Sequence, residues 1–209
     1  ESPFVTDTEG RPMARNPLRD RRVRQAISMM INREAMVNTL LSGGGVPAGQ
    51  IVPEGQGGYD PSLVPTPFDL PRARALLAEA GWPNGFGLTI HSSNNRFPQD
   101  GAMAQALGQM LARGGIRVNG VTTMPFNVYI GQATDQRFSA FLFAYNSASP
   151  HSADGLRGLL ATRDLPRGMG GVNRGRYSNP EFDAVLGRAL EAFDETERNR
   201  QLAAATRIA

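Results

Sequence analysis

Reactive side chains are scarce in this 209-residue chain. It has no cysteine and two histidines, His91 and His151, far apart in sequence. Disulfides and cysteine-based zinc sites are therefore excluded, and two scattered imidazoles do not make up a metal's ligand set. Groups able to hold a solute concentrate in two polar stretches. SSNNRF carries Asn94, Asn95 and Arg96. Amides both donate and accept, and a guanidinium grips a carboxylate through paired N–H bonds. AYNSASPHSAD carries Tyr145, Asn146, Ser147, Ser149 and Asp154, which supply hydroxyls, an amide and a single carboxylate. Each stretch also has a plain structural reading. The first is a solvated loop that caps the next helix, and Asp154 is placed to cap another.

Catalytic signatures are missing. There is no G-x-S-x-G elbow, and the glycine-rich run GGGVPAGQIVPEGQGG lacks the GK[ST] ending of a phosphate loop. The other carboxylates sit on helix faces and at caps. A hydrolase or other enzyme on an α/β fold is the alternative function, but no constellation supports it. No catalytic residue, metal site or cofactor motif is assigned.

Charge narrows the partners. All 22 basic residues are arginine and the formal net charge is +3. Only Arg15 to Arg24 is locally dense, so the clustered basic face of a nucleic-acid binder is not expected. No apolar run approaches the roughly 18 to 20 residues that cross a bilayer. The opening residues ESPFVTDTEG lack the basic start and apolar stretch of a secretory leader.

The elements that must position these groups follow from periodicity and punctuation. Residues 1–19 read as an extended segment. Val23, Ile27, Met30 and Ile31 recur at helical spacing, and Asn32 caps a second helix that SGGG ends. Asp69 caps LPRARALLAEA, and Gly81 stops it. FGLTIHS alternates Phe86, Leu88 and Ile90 inward as a strand. A helix over 101–113 and the strand IRVNGVTTM follow, then a short helix over 126–134. The apolar run from Phe138 to Tyr145 predicts a strand buried on both faces. Helices are expected over about 154–161, after Ser178 or Asn179 with Pro180 in the first turn, and after Asp194. Trp82, Phe86, Met29, Met30 and Met36 read as packing. Strands alternating with helices argue for an α/β layer with some parallel pairing. In such sheets ligands bind beyond the carboxyl ends of the strands.

Five pieces now stand in order: VRQAISMMINREAMV, PFDLPRARALLAEAGWPNGFGLTIHSSNNRFPQD, AQALGQMLARGGIRV, FSAFLFAY and YSNPEFDAVL. Each alone is weak, but their order and spacing resemble the extracytoplasmic solute-binding proteins of family 5. These are the dipeptide- and oligopeptide-binding components of ABC importers. The resemblance covers residues 15–209. It implies an α/β fold, a mixed sheet flanked by helices, forming one lobe of a type II periplasmic-binding-protein-like fold. Residues 1–19 are then a hinge-proximal segment and 20–209 the second lobe, with a first lobe and a C-terminal return elsewhere. It further implies a periplasmic location, a small-molecule or peptide solute, and permease subunits of an ABC importer as partners. In peptide-binding relatives an aromatic residue at the position of Tyr145 is followed within a few residues by an aspartate that pairs with the peptide's amine. Here Ala148 stands nearest that place and Asp154 lies further on. The resemblance is thus compatible with a peptide, a modified peptide, a glutathione-like molecule or another polar metabolite.

Overall fold

A computed structural model describes residues 4–146 and 151–209 of the chain. Ser147, Ala148 and Ser149 lie outside the described residues. The chain divides into two compact units, one of residues 1–47 and 66–144, the other of residues 48–65 and 145–209.

The first unit is built on a mixed sheet of β1 (Val5–Thr6), β2 (Gly87–Ser93), β3 (Arg117–Met124) and β4 (Ala140–Phe141). β2 is central. β3 runs parallel along one edge. The opposite edge is shared by antiparallel β1, with Val5 opposite Leu88, and parallel β4, with Ile90 opposite Ala140. The expected mixture of pairings is therefore present, and the leading segment contributes a strand to it.

Five helices flank this sheet: α1 (Arg21–Met30), α2 (Arg33–Leu40), α3 (Leu70–Glu79), α4 (Asp100–Gly114) and α5 (Phe126–Thr134). Asp20, Asn32 and Asp69 cap the first three, each side chain accepting a first-turn backbone N–H. Leu88 and Ile90 join Val23, Ala26, Met30, Leu76, Leu77 and Leu111 in one core. A second cluster, around Tyr129, Ala133 and Phe138, brings in Phe126, Phe141 and Phe143. Phe86 is fully buried and Trp82 packs against the first core, in line with their reading as packing residues. Covered by helices, β2 is buried along nearly its whole length rather than on alternate residues.

A bulge in β3 sets the sheet's start. Leu88 opposes Val118 and Thr89 opposes Gly120, so Asn119 is the extra residue. Its amide reaches across β2 and donates to the Thr6 hydroxyl at 2.8 Å. That path passes over Gly87, where a Cβ would collide with both partners.

The expectation for Phe138 to Tyr145 needs correction. Only Ala140 and Phe141 form strand, and both are half-buried. β2 offers this segment only the part of its edge that β1 leaves free. The flanking Phe138 instead stacks on Tyr129 at 5.4 Å, so apolar character here serves an aromatic cluster rather than a long ladder.

The second unit contains α6 (Ala153–Leu159), α7 (Pro180–Glu191) and α8 (Glu195–Ile208). Asn179 caps α7 and Asp194 caps α8. Phe182, Leu186, Leu156, Leu202 and Val52 form the buried center. The segment 48–65 threads across this core. At Gly58, with φ of +96°, a Cβ would strike the Ser152 hydroxyl and Leu202, so only glycine permits the approach. Asp60, buried in the same segment, pairs with Arg207 of α8 and accepts from the Ser62 hydroxyl at 2.7 Å. Among the described residues no helix is long and apolar enough to cross a membrane.

Candidate functional site

The first candidate stretch emerges where the parallel strands end. Asn94 follows the last residue of β2, and its backbone N–H donates to the Met124 carbonyl at the end of β3, at 3.1 Å. Asn95 then turns to α5. That helix begins after Pro125, which has no side chain able to cap it. Asn95 supplies the missing acceptor, its Oδ1 taking the Phe126 N–H at 2.8 Å. It therefore caps α5 rather than the helix that follows it, which corrects the capping expectation. Its Nδ2 group remains on an exposed residue. Arg96 lies with its guanidinium over the Phe126 ring, 4.6 Å from the centroid. Stacking fixes the plane of the guanidinium while its edge N–H groups stay available to a carboxylate.

Asp100 anchors this loop and was not singled out from the sequence. Its carboxylate is buried, with 4% of the residue exposed. It accepts the Ser93 hydroxyl at 2.8 Å, the Arg96 N–H at 2.9 Å and the Gly101 N–H at 2.8 Å. Burial works to raise its pKa, but the backbone donors of Arg96, Gly101 and Phe97 and the Ser93 hydroxyl outweigh it and hold the group below its ordinary value. A carboxylate four residues after the arginine was the available sequence signal.

The second stretch lies in the other unit. Tyr145 and Asn146 are exposed. The Tyr145 ring lies over α6, where a Cβ on Gly155 would meet it at 3.7 Å. With Val52, Pro53, Gln56, Ser152 and Leu159 it lines a cavity of about 160 Å³. Ser152 is buried, and its hydroxyl has no hydrogen-bond partner among the described residues. Asp154 sits in the first turn of α6 with its carboxylate 3.3 Å from Arg157. Ser152 holds the N-cap position instead. A larger, open groove beside Leu190 and Phe193 is largely apolar and contains no such orphaned group.

His91 lies inside β2 and is buried. Its ring stacks on Phe138 at 4.2 Å and meets Phe4 edge-on at 4.7 Å. Nδ1 is buried without a partner. Burial pushes the imidazole pKa down, against an opposing pull from the Ala140 backbone. Among the described residues no three His, Asp or Glu side chains converge as metal ligands.

Comparison with known proteins sets these features in context. The sequence pattern of the bacterial extracellular solute-binding proteins, family 5 Middle, matches residues 5–165. The glutathione-binding protein GsiB of Escherichia coli strain K12 is 34% identical over 201 residues, covering 94% of this chain and 38% of its own length. The chain thus spans about two fifths of the curated relatives it matches. The structure of HbpA2 from Haemophilus parasuis superposes with a TM-score of 0.85 at 26% identity, over 98% of this chain and 39% of that one. A dipeptide-binding protein from Pseudoalteromonas sp. SM9913, in complex with Met-Leu, gives 0.82 at 26% identity, again over 98% and 39%.

Proposed function

The chain belongs to the family 5 bacterial extracellular solute-binding proteins, and from that premise we propose that it is the solute-gripping second lobe of an importer's receptor. The receptor works outside the cytoplasm, closes over a peptide or peptide-like solute and delivers it to permease subunits of an ABC importer. Closure of this kind is a hinge motion that the bound ligand stabilises. The observation that carries the reading is the Asn94–Arg96 loop. It stands at the carboxyl ends of parallel strands, the place where open α/β sheets bind ligands. Asp100 and α5 hold it in one conformation, and Arg96 is stacked and oriented with its donors in no ion pair among the described residues. A guanidinium so placed suits a solute carboxylate. The sequence has Ala148 where peptide-binding relatives place an aspartate, so a free amine is not what the chain recognises in this reading.

Thermal denaturation of the full-length protein tests this. The probes are Met-Leu, its N-acetyl and C-amide forms, and glutathione. A ligand at a hundred times its dissociation constant adds about 2.7 kcal/mol of stability, and a midpoint moves by a few degrees. The acids are expected to stabilise with or without acetylation, and the amide is not. Equal stabilisation by acid and amide removes the role given to Arg96. Stabilisation that acetylation abolishes restores an amine-pairing carboxylate, with Asp154 the first to substitute.

A further inference from the structure

We propose that the arginine-rich face at the amino end of the first unit's sheet docks on an anionic phospholipid surface. The Asn94–Arg96 loop stands at the carboxyl ends of the same strands, so the two surfaces lie at opposite ends of one unit. α3 and α4 lead into the starts of β2 and β3, which places the carboxyl ends of both helices at the amino end of the sheet. Arg22, in the first turn of α1, donates to the carbonyl of Glu79 at the end of α3, at 2.7 Å. Arg74 of α3 donates to the Arg113 carbonyl in the last turn of α4, at 2.5 Å. These bonds tie the start of α1 and the ends of α3 and α4 into one surface. Arg15 extends it over the Trp82 ring, 5.8 Å from the centroid.

Charge collects on this face beyond a general preference for arginine. The second unit holds nine arginines against ten carboxylates, whereas RNPLRDRRVR, residues 15–24, holds five against one. That one carboxylate, Asp20, is taken by Arg22 at 2.7 Å and Arg15 at 3.7 Å. Arg19, Arg21 and Arg113 are exposed and in no ion pair among the described residues. Arg21 also opens α1, whose first turn has no acidic residue, whereas α2, α4, α7 and α8 each carry one there. A cation at the positive end of a helix dipole opposes the helix rather than supporting it. The folded unit therefore does not account for this arginine.

Unspent guanidiniums suit phosphate oxygens, which they grip through paired N–H bonds. A protein partner would need an apolar center to its interface, and none of the exposed large apolar side chains belongs to residues 15–24, α3 or α4. A headgroup layer asks only for cations, and each arginine near an anionic bilayer adds an attraction that salt screens. The inference takes one thing from the receptor reading above, that the protein works beside a membrane, and makes no use of Arg96.

The test is flotation of the full-length protein with vesicles. Phosphatidylcholine alone is compared with phosphatidylcholine carrying about 30% phosphatidylglycerol, each at low salt and at about 0.5 M NaCl. Binding is expected on the anionic vesicles and should fall at least about tenfold at high salt. The triple variant Arg19→Gln, Arg21→Gln, Arg113→Gln breaks no ion pair among the described residues, so its melting midpoint should hold. It should nonetheless cut binding to anionic vesicles by at least about tenfold. The triple variant Arg167→Gln, Arg188→Gln, Arg200→Gln removes the same charge from the second unit and should leave binding within about twofold of the parent. Equal binding to the two vesicle types, binding that salt leaves unchanged, or equal losses in the two variants overturns the docking face. So does a preference for duplex DNA over anionic vesicles, which would assign the face to nucleic acid. Each of these results leaves stabilisation by solute as it was. Loss of solute stabilisation with vesicle binding intact overturns the solute reading alone.

Discussion

Arg96 and Asp100 form one device through backbone rather than side-chain charge. Asp100 accepts the Arg96 N–H, and the guanidinium turns away to stack on Phe126. Asp100→Asn keeps the shape but must turn an N–H toward either the Gly101 N–H or the Arg96 N–H, because both carboxylate oxygens accept. It is expected to cost about 1–3 kcal/mol in chemical denaturation and to weaken solute binding further by loosening the loop. His91 makes a separate prediction. Its folded-state pKa is depressed, so below the unfolded value of about 6.5 the unfolded chain binds more protons than the folded one. Its contribution is intact above that pH and is lost as pH falls toward the folded pKa. Asp7, Asp20 and Glu197 are held near 2, so they do not titrate in this window. His91→Phe, which keeps the ring stack, should flatten the decline of the melting midpoint between about pH 6.5 and 5. An unchanged decline would place it elsewhere.

At the scale of elements, punctuation was the most legible part of the sequence. Asn32, Asp69, Asn179 and Asp194 all cap the helices they precede, because a short polar side chain before an apolar period has few other uses. Asn179→Ala should lower unfolding stability by about 1 kcal/mol, measured by denaturant titration, with the m-value unchanged. Strands were less legible. β1 has two residues and owes its existence to the free edge of β2, a partner more than eighty positions away, with Val5 opposite Leu88. The Phe138–Tyr145 run looked like a strand because apolar runs do not distinguish a ladder from an aromatic cluster. The site was half visible. Asn94, Asn95 and Arg96 drew notice by residue type, whereas Asp100 and Ser152 are a single carboxylate and a single hydroxyl. Their meaning lies in burial, which sequence does not display.

For the molecule as a whole, the two units present different chemistry. The first offers a cation fixed at the ends of parallel strands, and the second a cavity lined by neutral side chains among the described residues. In the reading proposed above, Arg96 holds a solute through its carboxylate. Native mass spectrometry tests that claim most directly. The full-length protein would be incubated with an equimolar mixture of Met-Leu, N-acetyl-Met-Leu, Met-Leu amide and glutathione. The account predicts a one-to-one adduct carrying a free carboxylate, diminished in Arg96→Ala. Absence of any adduct, or an adduct with the amide that Arg96→Ala leaves unchanged, would contradict it.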